Sequence, residues 1–590
     1  MAKKLLNGNE AIALGAHLAG AQVVAGYPGT PSTEIIETIV REDYPGMYAE
    51  WSPNEKVALE VAIGASLSGV RAMATMKHVG VNVAADPLMT VTYMGVRGGL
   101  VIVTADDPGM HSSQNEQDNR NYARFAKIPM FEPSDSQEAQ DMTMRAFSLS
   151  EAYDTPVFVR STTRISHTLT VVQTGEAATD HPERGFVRDP KKLVMIPANA
   201  RHRHPAVEDR LEKLTAFVSE ADDLNRVEYR DRSLGIITGG VAYQYVREAL
   251  PGASVLKLGV SYPIPIETIR SFADEIDRLY VVEELDPFWE MEIRAAGIDV
   301  IGKEIIPLTG ELTPDIIRRA IAGEDEHQAG VVRDDTGAAE VPGRPPSLCP
   351  GCPHRGVFYI LNKLQLIVSG DIGCYSLGVM PPLSAMDTLT CMGASIGHAM
   401  GMEKGLGPDA PDAVAVIGDS TFLHSGMTAL ADVAYNGGRV TTIILDNHST
   451  AMTGHQGNPA SGYNARMQEV PRLDFAAVAK SLGIHDVHRV DPYDLDAVER
   501  VIRAAQKEPG PSVIVADRAC VLLDRKSHRG HHAITEDCAA CGMCLDLGCP
   551  ALFREGADGP AAINPALCTG CGMCAQVCRF DAVEQEGERS

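Results

Sequence analysis

The sequence predicts a multi-domain α/β protein that ends in a small α+β module rich in cysteine. Three observations carry this. Apolar, β-rich runs alternate with Ala-rich amphipathic stretches over residues 1–170. The alternation returns over 231–321 and again over 347–528. Eight of the 13 cysteines then fall between Cys538 and Cys578. A chain of 590 residues has room for several domains at roughly 100–200 residues each.

The elements follow in order. Arg71–Met76 and Leu100–Thr104 read as buried strands and Glu55–Ser68 as an amphipathic helix, the βαβ rhythm of a parallel sheet covered by helices. Residues 171–230 are mixed and polar, and read as a connecting segment. An intermediate domain follows over 231–321, with strands Leu234–Thr238, Val255–Leu258 and Leu279–Val282 alternating with helices Val241–Leu250 and Ile266–Ile276. Residues 322–346, rich in Gly, Pro, Asp and Glu, read as a linker. The third α/β domain, 347–528, has strands Ala413–Ile417, Thr442–Leu445 and Ser512–Ala516, and residues 529–590 form a separate Cys- and Gly-rich module.

Composition excludes several classes. With 44% hydrophobic and 22% charged residues the chain is neither disordered nor fibrous. Its net charge, −26, argues against a nucleic-acid or anionic-membrane surface, since both need clustered Lys and Arg. The charge-free stretch Ala11–Thr33 is broken by His17, Gln22, Gly26, Pro28 and Pro31, so no membrane span is expected. No apolar core follows Met1-Ala2-Lys3-Lys4, and the expectation is a soluble cytoplasmic enzyme.

The terminal cysteines form two runs, Cys538-x2-Cys541-x2-Cys544-x4-Cys549 and Cys568-x2-Cys571-x2-Cys574-x3-Cys578. Three Cys at two-residue gaps wrap three corners of a cubane, and a distant fourth closes the other cluster. On that logic Cys538, Cys541, Cys544 and Cys578 hold one [4Fe–4S] cluster, and Cys568, Cys571, Cys574 and Cys549 a second. The alternative is a pair of structural zinc sites, which would draw on two Cys pairs per metal. The tail resembles a two-cluster bacterial ferredoxin, with one extra residue before Cys549 and Arg579 in place of the usual Pro. That resemblance implies one-electron transfer.

In the third domain a buried strand ends in Gly418-Asp419-Ser420, and the next in Asp446-Asn447-His448-Ser449. Hard oxygen ligands thus gather at the carboxyl edge of a parallel sheet, where phosphates and Mg²⁺ bind. The pairing resembles the thiamine diphosphate motif. It implies that Asp419, Asn447 and the carbonyl of Ser449 hold Mg²⁺ against the diphosphate, with Gly418 and Ser420 beside it. Ala451-Met452-Thr453-Gly454-His455-Gln456 resembles the segment that follows this motif in 2-oxoacid:ferredoxin oxidoreductases.

Thiamine enzymes bind the cofactor between two such domains, and the second must offer a carboxylate to the aminopyrimidine. Glu55, with Asn54 before it and Gly64-Ala65 and Gly69 after it, matches the ferredoxin-linked pattern; Glu50 and Glu60 are rivals, and a helix-opening Glu is also favoured by the macrodipole. Gly26-Tyr27-Pro28-Gly29-Thr30-Pro31-Ser32 resembles the family's Tyr-Pro-x-Thr-Pro segment, which implies that Thr30 contacts the substrate; a Pro-rich loop with Ser32 as helix cap fits equally. His78, at a strand end, is a further candidate. The resemblance also implies an Arg for the substrate carboxylate, Arg124 before Arg120.

Leu348-Cys349-Pro350-Gly351-Cys352, Gly373-Cys374 and Cys520 match the order in which relatives ligate a [4Fe–4S] cluster near the thiamine ring. Cys391 is left over. In this order of parts nearly the whole chain resembles the alpha (large) subunit family of indolepyruvate:ferredoxin oxidoreductases. The resemblance implies a transketolase-like thiamine architecture in which an arylpyruvate (indolepyruvate, phenylpyruvate) and CoA give an arylacetyl-CoA and CO₂, with electrons passing to ferredoxin. It also implies a separate beta subunit, in an αβ or α2β2 assembly, and ferredoxin docking on a local basic patch near Arg525-Lys526 or Arg529. A relative acting on another 2-oxoacid, a non-oxidative thiamine decarboxylase and an electron-transfer subunit are the alternatives.

Overall fold

Runs such as Ala72-Met73-Ala74-Thr75-Met76 and Leu100-Val101-Ile102-Val103 are apolar throughout, as strands covered on both faces require. In the computed structural model they are the central strands Ala72–Lys77 and Leu100–Asp106, buried along their whole length. The structure describes residues 2–178, 185–323, 346–406, 413–524, 530–554, 556 and 559–586. Two units result, Met1–Gly337 and Ala338–Ser590.

In the first unit a seven-stranded sheet has the order Val260–Tyr262, Met130–Phe131, Val157–Thr162, Leu100–Asp106, Ala72–Lys77, Val23–Gly26 and Tyr48–Trp51. All neighbours are parallel except the first pair. A second, four-stranded sheet is built on Asp231–Gly239, Ala253–Leu258 and Leu279–Val282.

The segment 171–230 departs from the expectation of a connection. It contains a strand, Thr170–Gln173, paired antiparallel with Lys3–Leu6, and a 24-residue helix, Pro197–Glu220. The buried stripe Val207, Arg210, Leu214, Val218 has helical spacing. One of its four members is an arginine whose guanidinium donates to the carbonyls of Thr92 and Asp154. A stripe that narrow and partly charged leaves the composition polar, which is why the helix does not stand out in sequence.

The second unit is a five-stranded parallel sheet in the order Ile367–Ser369, Ala413–Gly418, Thr441–Asp446, Ser512–Asp517, Asp486–Val490. Two antiparallel strand pairs, His531–Ile534 with Val583–Glu586 and Leu552–Arg554 with Ala561–Ile563, frame the cysteine-rich tail. The tail is not a separate module. Leu547, Ala561, Met573 and Val583 lie in one buried cluster with Val357, Phe358 and Leu361 of the third α/β domain. So short a segment buries a small core of its own, and it shares its neighbour's.

The linker expected over 322–346 lies, from 324 to 345, outside the described residues, as do Arg525, Lys526 and Arg529. Among the described residues no helix is long and apolar enough to cross a membrane.

Candidate active site and electron path

In the first unit the candidate residues gather along the carboxyl edge of the large sheet, where a parallel sheet presents its ligand-binding loops. Glu55 opens the helix Glu55–Leu67, and the Asn54 side chain caps the helix by accepting from the Val57 amide. Of the three acids weighed from sequence, Glu55 is the buried one, 5% exposed. Glu50 accepts from the hydroxyls of Tyr48 and Ser52, and Glu60 pairs with Lys56 at the surface. A Cβ on Gly80 would lie 2.7 Å from a Glu55 carboxylate oxygen, so glycine there makes room for the acid.

Thr30 is half-buried in a loop pinned on both sides: the Gly29 amide donates to the Thr33 hydroxyl, and the Ser32 hydroxyl donates to the Gly29 carbonyl. Ser32 does not cap the following helix. His78 is fully buried with Nε2 3.3 Å from the Asn115 side-chain oxygen, while Nδ1 has no hydrogen-bond partner. Arg120 is committed to Asp118 and Glu283, at 2.5 and 2.6 Å. Arg124 pairs with Glu292 at 2.8 Å and with Asn121 at 3.0 Å, and lies over the Phe288 ring.

Sequence reasoning missed Lys77. It ends the strand Ala72–Lys77, its stem lies against Gly29, and its ammonium donates to the Ser112 carbonyl at 2.5 Å. Burial pulls it down to about 8, against the attraction of Asp107 and Glu55. The available signal was a charged residue closing a strand with no solvent-facing alternation.

The second unit repeats the arrangement. Asp419 follows the strand Ala413–Gly418, and Asn447 and Ser449 follow Thr441–Asp446. All three are buried, with Asp419 accepting from the amides of Ser420 at 2.6 Å and Ser449 at 3.0 Å. The Asn447 side-chain oxygen accepts from the same Ser449 amide at 3.1 Å, and its amide nitrogen lies 3.2 Å from Nε2 of His354. Ser420 accepts from Thr450. Burial first, and Asp446 second, push the Asp419 carboxyl up to about 7. A buried acid held so high is one a cation would stabilise, and the buried Ser449 hydroxyl has no partner. This oxygen-rich donor set fits Mg²⁺ and a diphosphate. Nearby Asp446, His448 and Asp517 also converge, but Arg472 and Arg489 already pair with the two acids.

The twelve cysteines singled out from sequence fall into three neighbourhoods. Burial pushes Cys352 up to about 12, helped by Cys349 and Cys374, and Cys374 up to about 11, helped by Cys520 and Cys349. This set adjoins the candidate oxygen ligands, since the Cys520 amide donates to the Asn447 carbonyl at 3.0 Å. Cys544 is raised by burial and then by Cys538, Cys541 and Cys578. Cys549, Cys568, Cys571 and Cys574 line one small cavity, and the His532 amide points at the Cys568 sulfur, 3.4 Å away. Burial and the repulsion between neighbouring thiolates hold these thiols protonated until a metal binds them, and the donor sets fit iron–sulfur clusters.

Three family models match the chain. Residues 14–208 match the thiamine diphosphate-binding domain of pyruvate flavodoxin/ferredoxin oxidoreductases, 371–516 the C-terminal TPP-binding domain of thiamine pyrophosphate enzymes, and 561–584 a 4Fe-4S binding domain. Fold and site together are those of a thiamine-diphosphate-dependent 2-oxoacid:ferredoxin oxidoreductase.

Indolepyruvate oxidoreductase subunit IorA of Archaeoglobus fulgidus is 40% identical, over 99% of this chain and 97% of its own length. The protein of that name from Thermococcus kodakarensis is also 40% identical, with the same coverage. The 2-oxoglutarate synthase subunit KorA of Methanothermobacter thermautotrophicus, 26% identical, matches 52% of the chain. The chain belongs to the IorA family of indolepyruvate oxidoreductase subunits.

Proposed function

We propose that the chain is the alpha subunit of an indolepyruvate:ferredoxin oxidoreductase, acting with a beta subunit in the cytoplasm. The overall reaction converts an arylpyruvate, CoA and two oxidised ferredoxins into an arylacetyl-CoA, CO₂, two reduced ferredoxins and a proton. The observation that carries this reading is the adjacency of a four-cysteine set to Asn447 and Asp419. A non-oxidative thiamine enzyme needs the oxygen ligands but no electron acceptor beside them.

In this reading 1–170 is the pyrimidine-binding domain and 347–528 the diphosphate-binding one. Thiamine diphosphate, when bound, supplies the electron sink for decarboxylation. Asp419, Asn447 and the Ser449 carbonyl would hold its Mg²⁺, and Glu55 exchanges a proton with the ring nitrogen of the aminopyrimidine. Thr30 lies in the loop against which the Lys77 stem packs. Lys77 supplies the cation for the substrate carboxylate in preference to Arg124, whose guanidinium is engaged by Glu292. His78 lends its buried, unpartnered Nδ1 to the same wall. Cys349, Cys352, Cys374 and Cys520 would hold the cluster nearest the thiamine, and the two tail sets would pass electrons on to ferredoxin.

The test is anaerobic purification of the chain with its beta subunit, with iron, sulfide and thiamine diphosphate counted per chain. Indolepyruvate should reduce ferredoxin only when CoA is present. Thiamine without iron would return the chain to the non-oxidative class, and iron without thiamine would leave an electron carrier.

A further inference from the structure

Arg355 follows Cys349-Pro350-Gly351-Cys352-Pro353-His354 and is 1% exposed. Its guanidinium spans two cysteine loops. One terminal nitrogen donates to the Leu547 carbonyl at 2.7 Å, just before Cys549. The other donates to the carbonyls of Leu348 at 2.7 Å and Cys349 at 3.2 Å. The buried Nε has no hydrogen-bond partner. Among the described residues no Asp or Glu pairs with it, unlike the buried Arg120, which has two acids, and Arg160, which has three.

A permanent cation buried among neutral carbonyls is costly unless an anion faces it. An anion is available beside it. Arg355 lines the same small cavity as Cys549, Cys568, Cys571 and Cys574. A cubane held by four thiolates is an anion when oxidised and gains a further negative charge on reduction. The two cysteine loops also touch: a Cβ on Gly351 would fall 2.0 Å from the Thr569 hydroxyl, and the Tyr493 phenol donates to the Gly351 carbonyl.

We propose that Arg355 is the built-in counter-cation of the electron relay, stabilising the reduced cluster of Cys549, Cys568, Cys571 and Cys574 where its loop meets the Cys349–Cys352 loop. The step it favours moves one electron from the reduced set beside Asn447 to the oxidised tail set, with no bond made or broken. This rests on the reading that these cysteines hold clusters, so iron content is measured first.

The experiment compares wild type, Arg355→Lys and Arg355→Met in the anaerobic αβ complex, by iron per chain and by EPR-monitored redox titration. Arg355→Met should shift one midpoint to lower potential, while Arg355→Lys stays near wild type. Loss of iron in the Met variant alone also supports a required charge. Iron-replete Arg355→Met with unshifted midpoints overturns the proposal. So do Lys and Met variants that shift alike or lose iron alike, because the guanidinium would then only pin carbonyls. Wild type without iron would instead defeat the cluster reading.

Discussion

In the first unit Arg120 and Arg160 are buried among Asp106, Asp118, Glu132 and Glu283. In the second, Asp419 and Arg355 are buried with no opposite charge in an ion pair with either, among the described residues. These buried acids and arginines compensate one another within the chain. Burial works against the Asp118 carboxyl, yet Arg120 and Arg160 hold it below the usual carboxylate range. In the second unit burial and Asp446 push Asp419 the other way. Arg120 and Arg160 with their acids are architecture, whereas Asp419 and Arg355 lie beside candidate ligand sites.

The contrast is sharpest at Asp419. Asp419→Ala should abolish Mg²⁺-dependent thiamine diphosphate binding and leave iron content intact; cofactor retained through desalting would move the diphosphate site elsewhere. Glu55→Gln should keep the cofactor bound yet slow hydrogen–deuterium exchange at the thiazolium C2 by ~10²–10⁴-fold. Unchanged exchange would return Glu50 or Glu60 to consideration.

Arg160→Met tests the closed network. Removing one partner of a buried pair should destabilise the first unit by about 3–5 kcal/mol, read by denaturant unfolding, with cluster midpoints unmoved. Were the midpoints to move, the two classes of buried arginine would not be distinct.

Lys77→Met should raise KM for indolepyruvate by ~10- to 100-fold, the worth of a charge-assisted hydrogen bond, with C2 exchange unaffected. The smallest effect is on pH. Burial sets Lys77 at about 8, so its charge is present below that value and lost above it. A limb of kcat/KM should therefore fall as pH rises through about 8, and should disappear in Lys77→Met.

Much of this is legible in the sequence. Leu279–Val282 matches the expected bounds, Ala413–Gly418 is longer by one residue and Thr441–Asp446 by one at each end, because apolar runs between polar turns leave little choice of register. The tail cysteines grouped by spacing lie near one another in the fold, and so do Cys349, Cys352, Cys374 and Cys520, a set that only the resemblance implied. What stayed hidden was single charges in apolar company. Lys77 and Arg355 read as surface residues by type, and only the burial of their neighbours turns them inward. The pairing of Arg124 was equally hidden, since Glu292 lies 168 positions away, beyond any local pattern.

The core shared by Leu547, Ala561 and Met573 with Val357 and Phe358 has a consequence for how current flows. A carrier on a flexible tether must diffuse to its donor, so its rate falls with solvent viscosity and with tether length. Here the spacing between the cysteine loops is fixed by folding. The internal hop should be indifferent to glycerol or crowding, leaving only the encounter with ferredoxin viscosity-dependent. Loosening that core would act as a blown fuse, breaking the circuit while leaving decarboxylation chemistry intact.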